Sequence, residues 1–199
     1  MARPRLFDEE RALDAAMHAF WVNGYEATST QDLCEATGLG RSSIYNTFHS
    51  KHDLFRRALA RYVASMTTAQ VALLGDAERA PLERVRDLFA RIVQQEFAQR
   101  RDGRGIGCLT VNTVVEMAGR DEEADRLLEH DLAQRLTALR AALEEGQRAG
   151  EIATDRTADE LARFVNAVIG GMRVSGQGGA DRQALEGIAA TAMDALRAR

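Results

Sequence analysis

Proline occurs twice in these 199 residues, at Pro4 and Pro81, so almost nothing in the chain forbids helix. No run of alternating β-branched residues bounded by tight turns suggests a strand. Apolar residues recur instead at i, i+3, i+4 and i+7 in one segment after another. The chain is therefore expected to be all-α, with about nine helices.

The order of those segments can be read from their breakers. Asp8 is placed to cap a first helix whose inner face is Leu13, Met17, Phe20 and Trp21, ending at Asn23-Gly24. Ser29 and Thr30 precede a short helical run, and Ser29 with Asp32 three residues on fits a capping box. Gly38-Leu39-Gly40 breaks that run. Arg41 to Phe48 forms the next helix, with Ile44 and Phe48 buried at i, i+4 and Arg41, Ser42, Ser43, Tyr45, Asn46 and Thr47 on the other side. Lys51 to about Leu74 forms a fourth helix with Leu54, Phe55, Ala58, Leu59 and Tyr62 inward. Two short helices at a sharp turn, the second presenting donors and acceptors to solvent, make a helix-turn-helix of the kind that reads a major groove.

Later segments read as follows. Pro81 opens a fifth helix with Leu82, Val85, Phe89, Ile92, Val93 and Phe97 at helical spacing. Arg100 to Gly107 is a charged glycine-rich loop, but no strand precedes it and no Gly-Lys-Ser/Thr follows, so it is not a phosphate cradle. Cys108 to Ala118 is apolar on almost every side and is expected to run through the interior. Asp121 to Ala149 is a long helix with a stripe of Leu128, Leu132, Leu136, Leu139 and Leu143. Asp155 starts a helix carrying Leu161, Phe164, Val165, Val168, Ile169 and Met172, in which Gly170-Gly171 suggests close approach by another helix. The last helix carries Leu185, Ile188, Ala189, Ala192, Met193 and Leu196.

Charge and chemistry narrow the function. The net charge is −4, yet residues 39–57 hold Arg41, Lys51, Arg56 and Arg57 against Asp53 alone. Positive charge is thus local, compatible with a DNA-binding face on an acidic body. Four histidines and two cysteines, Cys34 and Cys108, show neither metal-ligand spacing nor a disulfide framework. No nucleophile elbow or Ser/His/Asp set appears, so no enzyme and no cofactor are expected. No apolar run is long enough for a membrane span and the N-terminus has no signal-peptide core, so a cytoplasmic protein without membrane partners is expected.

The stretch GYEATST followed by ATGLGRSSIYNTFHSKHDLF resembles the DNA-binding domain of the TetR family of bacterial repressors. The shared features are the glycine-aromatic pair, the Thr/Ser cluster, Thr-Gly-Leu at the turn, Ile-Tyr and Phe in the recognition helix, and Ser-Lys-x-x-Leu-Phe beyond it. GCLTVNTVVE resembles a segment that recurs in one subset of that family. Gly40, at the turn, and Asn46 and Thr47 depart from the polar residue and the aromatic or histidine common there.

The resemblance implies a DNA-binding domain at 1–57 and a ligand-binding and dimerisation domain at 58–199. It also implies a homodimer on a palindromic double-stranded operator, released by an unknown small-molecule or electrophile effector. Ser29, Thr30, Tyr45, His49 and Lys51 are then expected at phosphates, and Arg41, Ser42, Ser43, Asn46 and Gln31 at bases. Arg3 and Arg5 would lie on a flexible basic arm. Phe164, Val168, Gly171, Met172, Leu185, Ile188 and Ala192 would form the dimer interface. Asn112 and Glu116, at successive steps of four below Cys108, fit either a hydrogen-bonded pair that fixes helix packing or the polar patch of an effector cavity. Cys108 fits either a small buried hydrophobe or a thiolate stabilised by a helix N-terminus. The rival class is a helical module that binds a small molecule or protein without regulating DNA.

Overall fold

The computed structural model describes residues 3–100 and 105–198, with side chains from residue 9 onward. Among these residues there are nine helices: α1 (Arg3–Asn23), α2 (Thr30–Thr37), α3 (Arg41–Phe48), α4 (Lys51–Leu74), α5 (Pro81–Ala98), α6 (Leu109–Met117), α7 (Glu122–Arg148), α8 (Ala158–Gln177) and α9 (Arg182–Leu196). No named strand occurs among them, only one isolated bridge between Ile152 and Arg197. No described helix is long and apolar enough to cross a membrane.

Most boundaries follow the sequence signals, and the exceptions have local causes. α1 already begins at Arg3, so Asp8 lies inside the helix rather than at its cap, and Arg3 and Arg5 sit in a first turn rather than on an arm. The side chains of Arg3, Arg5 and Asp8 lie outside the described residues. α8 starts at Ala158, not at Asp155, because Thr157 and Glu160 form a reciprocal capping box there. Leu132 of the α7 stripe is 37% exposed, while Leu128, Leu139 and Leu143 are buried.

The chain divides into two compact units: residues 1–65 with 108–128, and residues 66–107 with 129–199. The division thus falls inside α4 and again inside α7, and not after Arg57 as the sequence suggests. The first unit also includes α6, which its place in the chain would assign to the larger domain.

In the first unit α1, α2, α3 and the start of α4 enclose Phe20, Leu33, Ile44, Phe48, Leu54, Phe55 and Leu59, all buried. Phe20 meets Phe55 edge-on at 5.2 Å, and Trp21 meets Tyr62 edge-on at 4.8 Å, arrangements that aromatic quadrupoles favour. α6 departs from the expectation of an interior helix. Only Leu109, Thr113 and Met117 are buried, and Val115 is 81% exposed. Its apolar composition reads as buried all round, but it packs along one side.

In the second unit α5, α7, α8 and α9 share one apolar cluster that includes Val85, Phe89, Ile92, Leu143, Val165, Met172, Leu185 and Leu196. Two ion pairs with a buried arginine cross it. Arg173 donates to Glu96 at 2.7 Å with both side chains buried, and Arg84 meets Glu145 at 2.7 and 3.1 Å. Arg84 holds the Glu145 carboxyl below its ordinary range through these hydrogen bonds. Removing Arg173 would strand Glu96 in the interior, at a cost of about 3–5 kcal/mol.

Candidate nucleic-acid interface

The reader is assembled from local backbone chemistry. Ser29 caps α2: its hydroxyl accepts from the Asp32 N–H at 3.1 Å, and the Asp32 carboxylate accepts the Ser29 N–H at 2.7 Å. These contacts, the Ser29 hydroxyl first, hold the Asp32 carboxyl below its ordinary range. α2 ends at Gly38, whose φ of 70° is left-handed and whose N–H returns to the Cys34 carbonyl. A residue with a β-carbon adopts that conformation reluctantly, so the sharp turn into α3 depends on glycine here. Gly40 then precedes α3 with extended backbone and no side-chain cap.

α3 is anchored by Ile44 and Phe48, both buried. Their placement leaves Arg41, Ser42, Ser43 and Asn46 exposed, four side chains of the types that hydrogen-bond base edges. Tyr45 is half-buried, its hydroxyl 3.4 Å from the Thr30 hydroxyl, with the Arg41 guanidinium 5.8 Å from its ring centre. The Thr30 hydrogen bond and then Arg41 draw the Tyr45 pKa down. The pair ties α2 to α3 while leaving the tyrosine edge at the surface. Gln31 is exposed and donates to Glu35 at 2.9 Å.

Beyond α3 the chain turns through His49, the one non-glycine residue of positive φ (61°) among those described. This conformation is costly for a residue with a β-carbon and aims the chain into α4. Lys51 opens α4, with its ammonium 4.5 Å from the Tyr25 ring centre and donating to the Glu26 carbonyl at 3.5 Å. Arg41, Ser42, Ser43, Asn46, His49 and Lys51 therefore stand on one short helix and the residues just after it.

The residues expected to sense an effector are distributed differently. Cys108 is the residue before α6, and the Tyr62 hydroxyl donates to its sulfur at 3.4 Å. The Asn112 N–H donates to the Cys108 carbonyl at 2.8 Å, one turn along. Glu116 reaches the turn after α1, where its two carboxylate oxygens accept from the Tyr25 N–H at 2.9 Å and the Glu26 N–H at 2.7 Å. Sequence reasoning misses this role because Glu116 and Tyr25 are 91 positions apart. It also misses the contact between His52 and Asp121 at 3.3 Å and the ion pair of Arg56 with Glu123. His49 and His52 belong to no group of three potential metal ligands among the described residues.

The apolar surface expected at α8 and α9 is only partly available. Phe164 is 40% and Ile188 36% exposed, Val168 is half-buried and Gly171 is open. A β-carbon at Gly170 or Gly171 would meet no atom within 4 Å, so the close helix approach expected there is not made within the chain. Met172, Leu185 and Ala192 are buried in the chain's own core. Val174, 53% exposed, extends the surface instead.

Known proteins share this architecture. The family described as bacterial regulatory proteins, tetR family, matches residues 12–58, and the family described as tetracyclin repressor-like, C-terminal domain, matches residues 81–192. The HTH-type transcriptional repressor ComR of Escherichia coli (strain K12) is 34% identical over 96% of this chain and 90% of its own length. The HTH-type transcriptional regulator YezE of Bacillus subtilis (strain 168) is 32% identical over 83% of this chain and 84% of its own. A solved structure of a cysteine mutant of the TetR family transcriptional regulator CifR, complexed with 26-bp double-strand operator DNA, is 31% identical. It covers 97% of this chain and 99% of that one, with a TM-score of 0.81. On fold, reader geometry and relatives together, the chain belongs to the TetR family of DNA-binding transcriptional repressors.

Proposed function

We propose that this repressor binds a palindromic operator as a homodimer in the cytoplasm and leaves it when an effector is bound. The observation that carries the reading is the α3 surface: Arg41, Ser42, Ser43 and Asn46 exposed together on a helix held by Ile44 and Phe48. Base reading is assigned to these four and to Gln31. Phosphate contact is assigned to Thr30, Tyr45, His49 and Lys51, and to the backbone around Ser29, whose hydroxyl is committed to the cap. Arg3 and Arg5 remain proposed DNA contacts at the start of α1.

Two reader units fit successive major grooves only when their recognition helices lie about one helical turn, roughly 34 Å, apart. An effector that binds better to another separation lowers operator affinity by its differential affinity for the two states. The dimer contact is assigned to Phe164, Val168, Gly171, Val174 and Ile188. The reading needs no catalytic group and no cofactor.

On the sensing side, Cys108 and Asn112 are the candidates, while both oxygens of Glu116 hold the Tyr25–Glu26 turn. An electrophile or oxidant that modifies Cys108 would break the Tyr62 contact at the start of α6. The Cys108→Ser protein is expected to bind the operator but to lose release by such reagents, while Cys34→Ser keeps it. Equal release of Cys108→Ser and wild type, read by operator gel shift, would leave a reversibly bound small molecule as the effector.

Selection of bound duplexes from a random pool tests the whole reading. The expected result is a symmetric motif with strongly salt-dependent binding. A module that does not regulate DNA returns no motif.

A further inference from the structure

The exposed cation of Lys51 is not free to wander. Its ammonium lies 4.5 Å from the centre of the Tyr25 ring and donates to the Glu26 carbonyl at 3.5 Å. A cation over an aromatic face is attracted by the ring quadrupole. The two residues that hold it are the same two whose backbone N–H groups Glu116 accepts, at 2.9 and 2.7 Å. Successive backbone N–H groups make a small anion-binding concavity, and here the anion is a carboxylate from α6. Gly24, with φ 81°, supplies the left-handed step into this turn, and a β-carbon there would approach Glu116 to 3.0 Å. Nearby, the Tyr25 ring also meets His52 edge-on at 6.0 Å, and His52 meets Asp121.

We infer that Glu116 is a positioning residue for DNA binding: it fixes the Tyr25–Glu26 turn, and through it the Lys51 ammonium, so that the placement of α6 sets the strength of a phosphate contact. Glu116 itself touches no nucleic acid. Its carboxylate is held by two backbone N–H groups, and its effect travels through the turn to Lys51. The inference rests on the proposed phosphate role of Lys51. It separates Glu116 from Cys108 and Asn112 and gives it a place in the reader itself.

Two acceptor oxygens in one plane are needed for two neighbouring amides. Glutamine keeps the shape but offers one acceptor, and its NH2 would then face an N–H group. Hydrogen bonds to a charged group are worth enough that losing one should weaken operator binding about ten-fold if the turn is released. The test compares wild type, Lys51→Ala, Glu116→Gln and the double variant on one operator across a salt series, with Trp21 fluorescence as the check on folding. Lys51→Ala should lower the slope of log K against log salt by about one contact. Glu116→Gln should lower it by the same amount, and the double variant should be no weaker than the worse single one.

A folded Glu116→Gln protein with the wild-type slope, or losses that simply add, overturns the inference. Should Glu116→Gln not fold, Glu116→Asp keeps the charge but withdraws it by one methylene. The same loss of slope is expected there, and a full slope overturns the inference. An unchanged slope in Lys51→Ala alone would instead remove the phosphate role on which the inference rests, with operator binding by wild type still standing.

Discussion

Two surfaces of this protein, those proposed for DNA and for a second copy, are opposites. The α3 surface is polar side chains on a buried apolar anchor: Arg41, Ser42, Ser43 and Asn46 outside, Ile44 and Phe48 inside. The α8 and α9 surface keeps apolar side chains outside as well as inside: among its charged neighbours Phe164, Val174 and Ile188 stay exposed above a core that already holds Met172 and Leu185. When the first is uncovered, water replaces the hydrogen bonds that its polar groups lose. The second loses hydrophobic stabilisation whenever it is uncovered. The asymmetry suits the proposed dimer, which releases DNA yet stays assembled.

The largest expected effect would break the apolar side of the comparison. Gly171→Glu places a charged side chain where an added β-carbon would meet no other part of the chain within 4 Å, so the monomer should fold normally. In a two-fold contact the new carboxylate would meet apolar surface or its own copy. Dimerisation should weaken by about 3 kcal/mol or more, on the order of a hundred-fold. Sedimentation equilibrium checks this, and an unchanged dimer would place the interface elsewhere.

On the polar side, Arg41→Ala or Asn46→Ala should cost about 1–3 kcal/mol at particular base positions. Repeating the duplex selection with each variant should show those positions relaxing while the rest of the motif persists. Lys51→Ala sharpens the distinction further, since a lost phosphate contact weakens all sequences alike. Filter binding on specific and scrambled duplexes should show equal losses. The dimer, by contrast, should change little with salt.

The smallest effect concerns the scaffold under the polar surface. The Asp32 carboxyl is held below its ordinary value, chiefly by the Ser29 hydroxyl and backbone N–H. A depressed carboxyl contributes stability that is fully present above its unfolded pKa and is lost as pH falls through the lower folded one. Asp32→Asn should therefore remove a small part of the acid limb of stability. Thermal unfolding between about pH 5 and pH 2 checks this, with the wild-type and variant curves expected to converge at the acid end.

How far the residues alone disclose the fold follows from the range of each interaction. Ser29 with Asp32, Gly38 with Cys34, and Ile44 with Phe48 act over three or four positions, so the helix-turn-helix and its exposed residues are legible in the amino-acid order itself. The same locality misleads where a signal has a nearby competitor: Asp155 resembles a cap, but Thr157 with Glu160 forms the better one. Burial does not follow from composition alone. α6 reads as an interior helix yet exposes Val115, and Met172, Leu185 and Ala192 share a period with exposed neighbours while filling the core. Contacts such as Glu116 with Tyr25 and Glu26, or Arg173 with Glu96, leave no local trace, because each side chain would be ordinary on a helix surface.

The composition of the first unit has a consequence for synthesis. Residues 1–65 leave the ribosome well before residues 108–128, which belong to the same compact unit. Until Glu116 emerges, the Tyr25 and Glu26 amides have only water as partner, and Tyr62 has no Cys108 sulfur to meet. The reader can therefore form its local turns early but cannot complete its unit until the intervening α5 has been made. A nascent chain stalled short of α6 would carry a helix-turn-helix whose Lys51 stands beside a turn not yet fixed by Glu116. On the proposed phosphate role of Lys51, such a chain should bind operator less tightly than the finished protein.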